Sequence, residues 1–178
     1  MSTGTPVGAS NATALDTLVR PAGSDDDYRS ARELFVEYAT WLDIDLCFQG
    51  FNEELATLPG KYAPPNGRLL LAFAGSGDDR RAAGCVAVRP LQTGATSTSS
   101  ELKRLWVRDA FRGLGLGHAL TGSALDAARA IGYRSIKLDT LPAIMPNAVA
   151  MYRSFGFVEC DAYYDSPMAG AMYMELAL

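Results

Sequence analysis

The stretch from Arg112 to His118, RGLGLGH, places glycine at three alternate positions, four residues beyond the segment Glu101 to Val107 (ELKRLWV) and directly before an alanine-rich run. The β-branched and aromatic content of ELKRLWV favours a strand. From Leu116 onward Ala119, Leu120, Ser123, Ala124, Ala127, Ala128 and Ile131 fall on one helical stripe, closed by Gly132 where a left-handed cap is wanted. Strand, glycine loop and helix start together aim several backbone N–H groups at one point, a ready site for phosphate. Two common phosphate loops do not fit. Read as GxGxxG, the run has His118 or Leu120 where the third glycine belongs, and no Lys-Ser or Lys-Thr follows to make a Walker loop.

Outward from this centre the pattern is readable on both sides. Leu15 to Pro21 alternates like a half-buried strand. Ser24 and three aspartates then start a helix whose apolar stripe runs Tyr28, Ala31, Leu34, Phe35, Tyr38, Leu42 and ends near Asp43. A short helix is expected over Asn52 to Leu58. Residues 68–74 and 82–91, separated by a glycine and aspartate loop, predict a hairpin, and Glu101 to Val107 a third central strand. Beyond the alanine-rich helix, Ser135 to Thr140 reads as a strand, Asn147 to Phe155 as a helix stopped by Gly156, and Phe157 to Asp161 and Met172 to Leu178 as closing strands. The order βααβββαβαββ predicts an α/β or α+β domain over residues 15–178, one mixed sheet with helices on its faces. Residues 1–14, small and polar, read as a disordered tail without the features of a signal peptide.

Composition narrows the function classes. A length of 178 residues with 48% apolar content suits one soluble domain, and no apolar run is long enough to suggest a membrane span. A net charge of −4 argues against a nucleic-acid binder. The charge is uneven, however. Residues 1–60 carry three basic and ten acidic side chains, whereas Glu101 to His118 carry four basic and two acidic, which predicts a local welcome for an anion. Cys47, Cys85 and Cys160 are widely separated and form no metal or disulfide pattern, which fits a reducing cytoplasm. His118 is the only histidine, so multi-histidine metal sites are excluded. At a helix start it is expected beside an anion rather than in a catalytic role.

Arg112, Gly115 and Gly117 match R-x-x-G-x-G, and with Asn147 to Phe157 (NAVAMYRSFGF) they resemble the two signatures of the GNAT superfamily of N-acetyltransferases. The element order along residues 15–178 is also that family's. The resemblance implies a mostly antiparallel sheet of about seven strands flanked by four helices, with acetyl-CoA as cosubstrate and no metal. It assigns the pyrophosphate to Arg112, Gly113, Leu114, Gly115, Leu116, Gly117 and His118, and the pantetheine to main-chain groups of Leu105, Trp106 and Val107. One N–H near Val107 would face the thioester oxygen. Asn147 would bond the pantetheine arm, although a residue after Pro146 at a helix start also serves as an ordinary cap. Arg153 would meet a phosphate or solvent.

The same resemblance makes Tyr152 the acid that protonates the departing sulfur. A phenol with pKa near about 10 keeps its proton at neutral pH and lies only about 1.5 units above a thiol. Glu101, at the start of the central strand, would take the amine's proton through water, with Asp139 on the neighbouring strand as the alternative base. The acceptor is expected between the loop after the first long helix, with Asp45, Phe48 and Gln49, and the loop before the last strand, with Tyr164 and Asp165. The mix of aromatic and acidic residues there suits a cationic or amino-acid-like amine, and a small molecule, a peptide or a protein terminus all remain open as the acceptor. A homodimer is compatible with this reading. Direct transfer in a ternary complex is expected, and a CoA-binding module without turnover is the alternative.

Overall fold

The protein is described as a computed structural model covering residues 15–44, 46, 50–91 and 98–178. Strand β1 (Thr17–Pro21) leads to helix α1 (Asp25–Leu42) and the short helix α2 (Phe51–Thr57). The hairpin β2 (Arg68–Ala74) and β3 (Arg81–Pro90) is followed by β4 (Ser99–Val107), α3 (Leu116–Ile131), β5 (Ser135–Thr140), α4 (Pro146–Ser154), β6 (Val158–Glu159) and β7 (Met172–Ala177). The seven strands form one sheet in the order β1-β2-β3-β4-β5-β7-β6. Every pairing is antiparallel except β4 with β5. The expected architecture is therefore present, with boundaries displaced by one or two residues at most elements. The exception is β6, which keeps only two of the five residues expected. The expected tail, residues 1–14, lies outside the described residues.

Local chemistry explains the starts and stops. The Ser24 hydroxyl accepts from the Asp27 N–H, and the Asp27 carboxylate accepts from the Gly23 and Ser24 N–H groups and from the Arg20 guanidinium. This is a complete capping box. Helix α3 ends where Gly132 turns left-handed at φ 102°, as its position in the sequence demanded. Each face of the sheet has its own core. Leu116, Leu120, Ala124 and Ala128 of α3 pack with Leu102, Ile136, Leu138 and Phe157 on one side, and Ala31, Leu34 and Phe35 of α1 pack with Tyr62, Leu71 and Ala87 on the other.

Two irregularities of β4 shape the centre of the sheet. Its parallel pairing with β5 stops after three residues, Ser99 to Glu101 against Ser135 to Lys137, so Leu102 to Val107 diverge from the rest of β5. A bulge then places Arg104 and Leu105 opposite the single residue Val86, with Arg104 at φ 58°. The extra residue resets the side-chain alternation, so Leu102 and Leu105, three apart, both pack toward the α3 core. Left-handed backbone at a non-glycine residue is costly and persists where its surroundings hold it.

Arg104 is held by its ion pair. Its guanidinium donates to both Glu54 oxygens at 2.8 Å, the Tyr62 hydroxyl donates to Glu54 as well, and the Arg104 and Glu54 side chains are 2% and 10% exposed. Burial pushes the Glu54 carboxyl up, but the Arg104 guanidinium outweighs it and holds the pKa below the usual range. Glu54→Ala would leave that cation buried without its partner, at a cost of about 3–5 kcal/mol. Asp26→Ala, which breaks an exposed pair with Arg29, should cost less than about 1 kcal/mol. Denaturant midpoints of the two variants would separate these cases, and equal midpoints would show that the bulge does not depend on Glu54.

Candidate active site

The divergence of β4 from β5 opens a cleft in the middle of the sheet. Its narrow centre is lined by Lys103, Leu105, Asp139, Thr140 and Tyr152 together with Tyr38 of α1. On one side it continues into a groove of about 290 Å³ bordered by Leu105, Trp106 and Val107 of β4, by Arg112 and Gly117, by Asn147 and Met151 of α4, and by Tyr38 and Trp41. On the other side lies a cavity of about 390 Å³ walled by Arg89, Glu101, Lys103, Tyr163, Tyr164 and Asp165.

The glycine loop ends at the groove. Gly113 and Gly115 take left-handed φ values of 82° and 75°, and no atom comes within 4 Å of where a Cβ would stand on either. Gly115 is the N-cap of α3 and supplies no side chain to it, and no acidic residue occupies the first turn. The helix start is therefore open to an incoming anion. Leu116 is buried in the core, so only its backbone can take part, and the exposed His118 ring lies 4.3 Å from that of Phe155.

The cluster of cations expected to attract an anion is largely neutralised within the fold. Lys103 pairs with Asp139, Arg104 with Glu54, Arg108 with Glu37 and Arg112 with Asp109. The Arg112 guanidinium also lies over the rings of Trp106 and Trp41, at 5.0 and 5.7 Å. Backbone amides rather than free cations are what this loop offers.

Asn147 is not a cap. Met145 holds that position, Pro146 is the first helical residue, and Asn147 follows it on the border of the groove. This removes the capping alternative. Arg153 is exposed and lines neither the groove nor the cleft.

Tyr152 is buried, with its ring edge-on to Phe157 at 5.6 Å. Burial, reinforced by Tyr38 and Asp139, raises its phenol well above the ordinary value, so it is protonated at neutral pH. Tyr38 lines both the groove and the cleft centre, and burial pushes its phenol up to about 12. Its recurrence in the α1 stripe marked it as a packing residue, and nothing in that spacing distinguished a phenol on a cleft from one in a core. Trp41, three residues on and outside that stripe, also borders the groove, and no motif or spacing marked it.

The two carboxylates considered as bases have different surroundings. Glu101 is the third residue of β4 rather than its exposed start, and it is buried. It accepts from Arg89 at 2.8 Å and from the Tyr163 hydroxyl at 3.0 Å, and lies 3.3 Å from the Lys103 ammonium. Asp139 pairs with Lys103 at 2.7 Å across the cleft and accepts from the Tyr164 hydroxyl at 2.9 Å. Burial would raise the Asp139 pKa, but the Lys103 ammonium and the Tyr164 hydroxyl outweigh it and lower it. Asp139 shares the cleft centre with Tyr152, whereas Glu101 faces only the neighbouring cavity. Tyr164 and Asp165 are thus brought to the site, while Asp45, Phe48 and Gln49 lie outside the described residues.

Residues 29–157 match the model of the acetyltransferase (GNAT) family. The chain belongs to that family. An uncharacterized N-acetyltransferase of Schizosaccharomyces pombe is 39% identical over 153 residues, 86% of this chain and 88% of its own length. Another, from Dictyostelium discoideum, is 32% identical over 191 residues, covering 75% of this chain and 86% of its own. Among solved structures, a GNAT-family acetyltransferase of Staphylococcus aureus superimposes with a TM-score of 0.71 at 17% identity, over 91% of this chain and 99% of its own, a likeness of fold. The protein is an acetyltransferase, and its split β4/β5 cleft is the feature around which its candidate catalytic groups gather. No helix among its described residues is long and apolar enough to cross a membrane.

Proposed function

We propose that this acetyltransferase carries an acetyl group from acetyl-CoA to a primary amine by direct attack, with both substrates bound in the cleft at once. The observation that carries the reading is the divergence of β4 from β5, which leaves strand backbone free on one side of a cleft that has Tyr152 at its centre and the open start of α3 at one end. The residues fit the coenzyme. Gly113 to His118 present amides to a pyrophosphate, and Asn147 and the Leu105 to Val107 backbone line a groove for an amide-bearing arm. The buried Thr140 hydroxyl, which lacks a hydrogen-bond partner among the described residues, faces the same cleft.

Bound acetyl-CoA supplies an activated acyl group, and the chain's own residues position the exchange. An N–H of the diverging strand near Val107 polarises the thioester carbonyl. The neutral amine nitrogen attacks the carbonyl carbon, its N–C bond forms as the C–S bond breaks, the thiolate takes the Tyr152 proton, and the second proton leaving the nitrogen restores the phenol through water. The ammonium form of the acceptor loses its proton beforehand, to solvent by way of Asp139 or Glu101. Asp139 has the better position and Glu101 is the more fully engaged with partners. The burial that raises the Tyr152 phenol raises a thiolate in the same place too, so the proton transfer is not made harder in proportion.

Release of free thiol from acetyl-CoA across a panel of amines tests the reading. Amine-dependent release supports it. Tight acetyl-CoA binding without release for any amine would instead favour a binding module of the same fold.

A further inference from the structure

The cleft centre does not lead to one acceptor cavity but to two of opposite character. One is the cavity of about 390 Å³ already described, which it meets through Lys103. The other, of about 450 Å³, is lined by Ile44, Leu141, Ile144, Pro167, Met168 and Ala169, and meets the centre through Leu141 and Met168. Pro167, on the loop before β7, borders both. Ile144 is 45% exposed, an apolar side chain left facing an apolar cavity.

The first cavity is not simply acidic, as its loop had suggested. Its lining carries three cations, Lys61, Arg89 and Lys103, against two carboxylates, Glu101 and Asp165. Arg89 and Lys103 are partly satisfied by Glu101 and Asp139, whereas Lys61 has no carboxylate partner among the described residues. An anionic group on the acceptor would meet Lys103 at the junction and Lys61 and Arg89 beyond it.

We infer that the acceptor is a free α-amino acid with an apolar side chain. This rests on the amine-transfer reading above and names its substrate class. Three substituents diverge from the α-carbon of such a molecule, and three spaces diverge here: the amine belongs at the cleft centre, the carboxylate against Lys103 and Lys61, and the side chain over Leu141 and Met168. The charges close as well, since Asp139 faces the ammonium and the cation surplus faces the carboxylate. In the transfer the amine nitrogen gains the acetyl carbon, the C–S bond breaks, one proton leaves the nitrogen to solvent and one reaches the sulfur, giving an N-acetylamino acid and CoA. A peptide N-terminus offers no carboxylate at that distance and would not satisfy the cationic wall.

The test compares L-leucine, L-methionine and L-phenylalanine with leucinamide, phenethylamine, L-aspartate and L-lysine in thiol release, alongside acetyl-CoA binding by calorimetry. The apolar amino acids are expected to exceed leucinamide in kcat/KM by about ten- to a hundredfold, the loss expected for one charge-assisted hydrogen bond. Two exposed positions supply variants that should fold. Lys61→Glu should raise the KM for leucine about tenfold and narrow its advantage over leucinamide. Ala169→Asp should lower kcat/KM for leucine about tenfold by charging the apolar cavity. Neither residue lines the coenzyme groove, so acetyl-CoA affinity should be unchanged in both.

Leucinamide or phenethylamine matching leucine would overturn the inference and point to a peptide terminus or a simple amine, leaving amine transfer intact. Preference for aspartate or lysine would overturn it too, as would a Lys61→Glu effect equal for leucine and leucinamide. Failure of acetyl-CoA itself to bind would sink the amine-transfer reading instead.

Discussion

Replacing Tyr152 by phenylalanine is expected to lower kcat by about 10²- to 10⁴-fold, the range for loss of a positioned general acid, while leaving the KM for acetyl-CoA and the melting temperature close to those of the parent. The structure separates the two consequences. The ring is buried against Phe157, so its packing survives the change, and the hydroxyl makes no hydrogen bond among the described residues whose loss would weaken the fold. The phenol lines the cleft where β4 and β5 part, where the proposed mechanism has the departing thiolate take a proton. Tyr38→Phe is the matched control, because Tyr38 borders the same space from α1. Steady-state rates of thiol release for both variants decide the matter. Full activity in Tyr152→Phe, or a large loss only in Tyr38→Phe, would move the acid to the other tyrosine or to solvent.

The second large effect belongs to the glycine loop. A Cβ at Gly117 would stand 3.7 Å from the Met151 sulfur, an ordinary contact, and the backbone there is helical. Gly117→Asp is therefore sterically acceptable, and a carboxylate in the first turn of α3 interacts favourably with the helix dipole. The folded protein should be no less stable. The same carboxylate faces any bound pyrophosphate, and two like charges about 4 Å apart repel by about 4 kcal/mol at an effective surface dielectric, equivalent to several hundredfold in affinity. Calorimetry should show acetyl-CoA binding weakened by at least about a hundredfold with an unchanged or raised melting temperature. Gly117→Ala, which adds bulk without charge, should lose far less. Equal affinity in Gly117→Asp and the parent would remove the phosphate from this loop.

Much of this architecture is legible from local signals. The α3 stripe and Gly132 define one helix to the residue, the Ser24 cap sets the start of α1, and the alternation of Ser135 to Thr140 matches β5 residue for residue. What could not be read is set by long-range partners. ELKRLWV shows no clean alternation because a bulge at Arg104 interrupts it, and the Arg104 side chain at that bulge pairs with Glu54, fifty residues earlier in the chain. The cations of the same segment suggested a free positive patch, but their carboxylate partners come from α1, α2 and β5 as well as the loop itself. Charge counted along a chain does not reveal which charges meet in space.

The candidate site divides in the same way. The backbone sites at the glycine loop and the position of Tyr152 follow from motif and spacing. The place of Tyr38 on the cleft, the bridging of the cleft by Lys103 and Asp139, and the apolar second cavity all depend on how α1 and the loop before β7 fold against the sheet. Glu101 illustrates the limit. Its place at the head of a strand suggested an accessible carboxylate, whereas Arg89, Lys103 and Tyr163 converge on it from three elements.

The central claim is that the start of α3 and the gap between β4 and β5 together seat one coenzyme molecule. A crystal structure of the protein grown with CoA tests it most directly. The account predicts the pyrophosphate within hydrogen-bonding distance of the Gly113 to His118 amides, and the thiol in the cleft beside Tyr152. Coenzyme bound elsewhere on the surface, or a thiol pointing away from the β4/β5 gap, would contradict it.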